Sequence, residues 1–327
     1  RNEHVFALAR DLAGRLLVGV SGESGKLVRL GKTPEVMFED ARVQYIFAIA
    51  LDADNNVYLA TGPNGLVFRL DAFCQNPELI YDADDNNILS LRVADGAVYA
   101  GSDERGLVYR IDPDSRSARV LYDTEQNEVV SLLTDAAGNV YAAATSAAAA
   151  MLQLKASGAS MRDAPGRPDD GEPDNGDNGG DDEPADTVAS LNTANGGDEE
   201  DKETESKPDR QAPTPPAARL AGHIYRITPE GFVTDIFTEV AVFYAMLEFD
   251  GKLWLGTGGK AELYTVNPET EEKGVFYEDK TSAQITALTA AGETLFLGLS
   301  NPARLVRLEK GCAAEGVYRS PLIDADQ

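Results

Sequence analysis

The chain has 327 residues, room for one large domain, and carries 55 acidic against 29 basic residues for a formal charge of −26. That sign opposes binding to a nucleic-acid backbone, and no apolar run reaches the roughly 18 residues that cross a bilayer. Two cysteines, Cys74 and Cys312, and two histidines, His4 and His223, exclude a disulfide framework and leave few members for a His-based active site.

From the N-terminus, six segments open on an apolar pair: Val5-Phe6, Ile46-Phe47, Ile88-Leu89, Val129-Val130, Phe243-Tyr244 and Ile285-Thr286. Their offsets are 41, 42, 41, 114 and 42 residues, so removing 114 − 41 = 73 residues from the fourth interval restores the period. Each unit holds four short runs of alternating apolar residues. In the second unit these are Ile46–Ala50, Val57–Thr61, Leu66–Leu70 and Leu79–Asp82. Turns rich in Asp, Asn and Gly join the first two runs, as at Asp52 to Asn56, Asp95-Gly96 and Asp135 to Gly138. Gly25, Gly65, Gly106 and Gly222 join the second and third. The fourth run repeats an aromatic at Phe38, Tyr81, Tyr122, Phe237, Tyr277 and Tyr318.

Four antiparallel strands repeated about every 41 residues define a propeller blade, because one such sheet exposes apolar faces that only radial stacking buries. The expected fold is an all-β, six-bladed β-propeller occupying 1–327 as a single domain, with room for a seventh blade outside this sequence. The irregular interval falls in the fourth blade. Residues 156–220 hold 17 acidic and 6 basic residues and 8 of the 16 prolines. Such a segment buries too little apolar surface to offset chain entropy and is expected to form a disordered acidic loop.

The repeat reads apolar-x-Ala/Ser-Leu-x-x-Asp-x-x-Gly-x-Val-Tyr-x-Ala/Gly-Thr, then Gly-x-Val-Tyr-Arg-Ile-Asp. It resembles the propeller repeats of bacterial two-component-regulator and WD40-like proteins, most closely at Asp250-Gly251-Lys252-Leu253-Trp254-Leu255-Gly256-Thr257. The Gly-His and Trp-Asp pairs of true WD40 blades are missing. The resemblance implies a fold, and an exported module of a larger bacterial protein; the stretch Glu315 to Ala325 looks like a junction into a further β-sandwich. Periplasmic or extracellular residence is the expectation, with a cytoplasmic chain as the alternative.

In a propeller the residues that open each innermost strand ring the channel mouth. Here they are His4, Tyr45, Asn87, Glu128, Val242 and Gln284, five of them polar, and the polar five are the candidate ligand site. The expected function is non-catalytic binding of a protein or small molecule by a monomer, with no catalytic residue and no metal site assigned. The alternative is a metal-dependent hydrolase or lyase like the six-bladed lactonases. That reading would take a divalent cation such as calcium at Glu128, Asn87 and His4. Arg29, Arg69, Arg110, Arg226 and Arg307 share one position on the third strand, interrupted by Thr265, and are expected to brace the blades.

Overall fold

The computed structural model describes residues 3–146 and 221–309, and every regular element among them is a β-strand. Blade 1 comprises β1 (His4–Arg10), β2 (Leu16–Ser21), β3 (Lys26–Leu30) and β4 (Glu35–Glu39). Blade 2 comprises β5 (Tyr45–Leu51), β6 (Val57–Gly62), β7 (Leu66–Leu70) and β8 (Glu78–Asp82). Blade 3 is β9 (Ile88–Ala94), β10 (Ala97–Ser102), β11 (Leu107–Ile111) and β12 (Ala118–Asp123). Blade 4 is β13 (Glu128–Thr134), β14 (Val140–Thr145), β15 (Gly222–Ile227) and β16 (Val233–Glu239). Blade 5 is β17 (Phe243–Phe249), β18 (Lys252–Thr257), β19 (Glu262–Val266) and β20 (Lys273–Glu278). Blade 6 shows β21 (Gln284–Ala291), β22 (Thr294–Ser300) and β23 (Arg304–Leu308). Strands within each sheet pair antiparallel in chain order. The expected fourth strand of blade 6, around Tyr318, lies outside the described residues, as do Cys312 and the acidic segment 156–220.

The interval of 114 residues resolves as expected. Strands β14 and β15 pair in unbroken register from Val140↔Ile227 to Ala144↔His223, although 76 residues separate Thr145 from Gly222. The excursion therefore leaves and re-enters one sheet.

Turn chemistry explains why the hairpins close where they do. Asp52 accepts hydrogen bonds from the backbone N–H groups of Asp54 (3.0 Å) and Asn56 (2.8 Å) and from the Tyr58 hydroxyl (3.1 Å). Asp135 repeats the arrangement with Ala137, Asn139 and Tyr141, each at 2.9 Å. These carboxylates satisfy turn donors that would otherwise be left unpaired. Burial, followed by the bond to Asp135, pushes the Tyr141 phenol up to about 12.

The core is not one mass but five interblade cores, each built from the facing sides of adjacent sheets. At each junction the first apolar residue of an inner strand is a knob. Ile46, Ile88, Val129, Phe243 and Ile285 are all fully buried. Four of them seat over a glycine of the preceding blade, Phe243 over Gly222, where an added Cβ would lie 2.7 Å from its ring. A Cβ added at Gly19 would lie 2.8 Å from Ile46, one at Gly101 2.6 Å from Val129, and one at Gly256 2.9 Å from the Ile285 side chain. Glycine is there because the neighbouring blade comes so close.

Among the described residues the series ends open. Inner strands pack in the order β1, β5, β9, β13, β17, β21, and β21 and β1 share no packing of that extent. Val5, the equivalent of Ile46, is 53% exposed, and the glycine at the matching position of blade 6, Gly298, meets only Ala287 of its own blade. Leu8 and Leu30 are likewise exposed, while their counterparts Ile49 and Leu70 pack against blade 1. An asymmetric response to truncation follows. Ile46→Ala should cost about 2–5 kcal/mol in urea denaturation, and Val5→Ala under about 1 kcal/mol. Equal losses would mean that Val5 is seated after all.

Candidate functional site

All six inner strands carry a β-bulge at the second member of their apolar pair. The register shifts lie between Val5 and Ala7, Ile46 and Ala48, Val129 and Ser131, Phe243 and Ala245, and Ile285 and Ala287; in blade 3 the shift skips Leu89. The extra residues are Phe6, Phe47, Leu89, Val130, Tyr244 and Thr286. A bulge re-aims one side chain out of the alternation; Val130 nonetheless packs against the core between blades 4 and 5. The result is a partial apolar lining in which Phe6 and Phe47 lie beside Tyr45, and Tyr244 beside Gln284. It was legible as the second member of each apolar pair, but a period of two would have sent those side chains into a core.

The residues expected at the mouth fall into two groups. On one side His4 stacks on Phe6 at 6.0 Å, Phe6 meets Tyr45 at 6.5 Å and Phe47 at 5.5 Å, and Tyr45 stacks on Phe47 at 5.6 Å. This is an aromatic wall spanning blades 1 and 2. On the other side are Asn87, Glu128 and Gln284. The Asn87 backbone N–H donates to Asp103 Oδ1 at 3.0 Å and its side-chain amide donates to Asp103 Oδ2. The Gln284 amide donates to the Tyr244 hydroxyl of the preceding blade at 2.9 Å. The two groups adjoin at Gly62, where an added Cβ would meet both the Asn87 amide and the Phe47 ring.

Glu128 differs from its neighbours in having no hydrogen bond or ion pair among the described residues. Burial pushes its carboxyl up, and the Asp103 charge adds to the shift. The Tyr244 phenol is raised chiefly by burial, with the charge of Glu128 a smaller contribution. A half-buried carboxylate with only like charge and phenols around it favours a proton or a cationic guest. Among the described residues no three His, Cys, Asp or Glu side chains gather at one point.

The loops between second and third strands rim this same end. Gly25 donates its N–H to Val43 O at 2.8 Å, Gly65 to Asn86 O at 2.7 Å, and Gly258 to Val242 O at 2.9 Å. Each ties one blade to the segment that opens the next inner strand. The pair β14–β15 has its connection at this end, so the acidic excursion departs from the rim.

The repeated third-strand arginines are bonded in four cases, two of which reach the next blade. Arg29 pairs with Glu35 (2.6 Å) and Arg69 with Glu78 (3.1 Å) and with Asp114 of the next blade (2.8 Å). Arg226 donates to Pro268 O of the next blade at 2.8 Å, and Arg307 pairs with Glu309 at 2.9 Å. Arg110 departs from the expectation, with no hydrogen bond or ion pair among the described residues.

Solved structures share this architecture. The chain is a β-propeller. The extracellular domain of BT4673 from B. thetaiotaomicron, described in one structure as a one-component system, aligns over 92% of this chain with 14% identity and a TM-score of 0.55. A second structure, described as that of a hybrid two-component system, aligns over 97% with 13% identity and a TM-score of 0.56. This propeller spans about a third of those chains, 32% and 33%. A nidogen/laminin complex aligns over 84% of this chain and 80% of its own, with 10% identity and a TM-score of 0.53. At these identities the likeness is one of fold. No family model matches the sequence, and no curated protein does either.

Proposed function

We propose that this propeller is a non-catalytic binding module of a larger, exported bacterial protein, and that its ligand sits at the channel mouth. The observation that carries the reading is Glu128: a half-buried carboxylate without a bonding partner among the described residues, close to Asp103 and to the Tyr244–Gln284 pair. The likeness to extracellular domains of a bacterial signalling protein supports export and sensing. The site chemistry suits a small organic cation. Its charge would meet Glu128, and its apolar or aromatic body would meet Tyr244, Phe47 and Phe6, where ring faces also attract cations.

Benzylammonium is a suitable probe, titrated by calorimetry at low ionic strength. Saturable binding that weakens about tenfold or more in Glu128→Gln is expected, since losing a paired charge in a half-buried site costs on the order of 1.4 kcal/mol or more. Absence of binding would remove the proposal. The same variant carries a pH signature. A carboxyl raised in the fold stabilises most fully below the unfolded value of about 4.3, and that contribution is lost as pH rises through the folded value. Glu128→Gln should therefore melt higher than the parent at neutral pH and match it in acid.

A further inference from the structure

A groove of about 730 Å³ runs between blades 3 and 4, away from the channel mouth and independent of the site proposed above. Three donors stand in one row along its blade 3 wall. Register places Tyr99 opposite Arg110 and Arg110 opposite Arg119, on the adjacent strands β10, β11 and β12. Strand spacing of roughly 4.8 Å makes the row about 10 Å long.

The repeat supplies its own control. In blade 2 the same row is Tyr58, Arg69 and Glu78, and every donor is satisfied: Tyr58 by Asp52, Arg69 by Glu78 and Asp114. In blade 1 the cross-strand partner of Arg29 is Glu35. In blade 3 that acid is replaced by Arg119. The five-residue Asp turn that holds Tyr58 and Tyr141 is also replaced, by the tight Asp95-Gly96 turn, which leaves the Tyr99 hydroxyl without its acceptor. Neither arginine nor the phenol has a bonding partner among the described residues. Arg110 lends some electrostatic support to Asp112, but that carboxylate is bonded to the backbone N–H groups of Asp114 and Ser115.

Two arginines directly opposed on neighbouring strands repel, a cost that a shared anion would reverse. We propose that this row is a binding site for a tetrahedral oxyanion, a phosphate or sulfate monoester. The anion bridges Arg110 and Arg119 and accepts a hydrogen bond from Tyr99. The organic body of the ester then lies along Val120, Leu121, Val140 and Ile227, which line the rest of the groove. Two carboxylates, Asp95 and Glu230, also line it and bias the site toward small anions that reach the arginines without meeting them. The overall charge of −26 does not forbid this, since at physiological salt charges beyond about 8 Å are largely screened.

The test uses the whole chain and two probes, inorganic phosphate and inorganic sulfate, followed by calorimetry at about 0.15 M ionic strength. Saturable one-to-one binding of either is expected, and phenyl phosphate should bind more tightly than phosphate by using the apolar wall. Arg119→Glu restores the arrangement of blade 2 and should weaken binding about tenfold or more while melting at or above the parent temperature. Arg119→Lys, which keeps the charge and loses the two-pronged geometry, should fall between them. No saturable binding of either probe, or equal binding by parent and Arg119→Glu, overturns the assignment.

Discussion

Gly106→Ala is expected to destabilise the protein by about 2–5 kcal/mol, close to the largest effect available to one added methyl group. Gly106 has φ +62, and a Cβ there would lie 2.0 Å from the Gln126 carbonyl and 2.5 Å from Thr124 Oγ1. The first obstacle is backbone of the segment leading into β13, so relief requires moving blade 4 against blade 3. Gly65, with φ +59 and the Asp85 carbonyl 2.1 Å from its added Cβ, should behave alike. The control is Gly96, whose φ of +69 is similar but whose added Cβ meets nothing within 4 Å. Gly96→Ala should cost only the left-handed backbone term of about 1–2 kcal/mol. Chemical denaturation of the three variants separates close approach from backbone strain, and three equal losses would refute the blade-contact explanation.

Asp279→Ala should cost about 3–5 kcal/mol at neutral pH by orphaning a set of buried and half-buried donors. Its carboxylate is 5% exposed and accepts from the N–H groups of Thr281 (2.8 Å) and Ser282 (2.6 Å), the Tyr277 hydroxyl (2.7 Å) and Arg304 (2.8 Å). These bonds lock the segment between β20 and β21 to the start of β23. The Ser282 N–H and then the Tyr277 phenol hold the acid far below the ordinary carboxylate range. Asp85 is the counterpart in the loop between β8 and β9, bonded to Arg105 and to the Tyr109 hydroxyl at 2.8 Å each.

The sign of the pH effect follows from that direction. A carboxyl lowered in the fold contributes its full stability above the unfolded value of about 3.9, and loses it as pH falls toward the folded value. The parent should therefore lose stability steeply below about pH 4, and Asp279→Ala, already weakened, should show a shallower acid slope. Parallel acid slopes would show that Asp279 titrates alike in both states.

The blades were legible because apolar alternation, Asp-Gly turns and a 41-residue period all specify one sheet, and β5 through β8 fall within a residue of the runs read from sequence. The register across the acidic excursion was legible for the same reason. The candidate site was only half so. His4, Tyr45, Glu128 and Gln284 do open inner strands, but the lining of Phe6, Phe47 and Tyr244 depends on bulges that break the two-residue alternation. Asn87 could not be seen to be bonded to Asp103, since that bond reaches across sixteen residues and a hairpin. The arginine series misled at Arg110 because the motif records one strand, and what decides the role of that strand is the residue opposite it.

The junction of β14 and β15 bears on how the molecule assembles. Every other neighbouring pair within a sheet is joined by a short connection, so each such hairpin can nucleate locally. Strands β14 and β15 are instead separated by 76 residues of chain, which makes theirs the one long-range strand pairing within the described sheets. Blades 1 to 3 and blade 5 thus have local routes to their sheets, while blade 4 must wait for a long-range encounter between its two halves. Blade 4 is therefore expected to form later than its neighbours, because pairing of high sequence separation is slow.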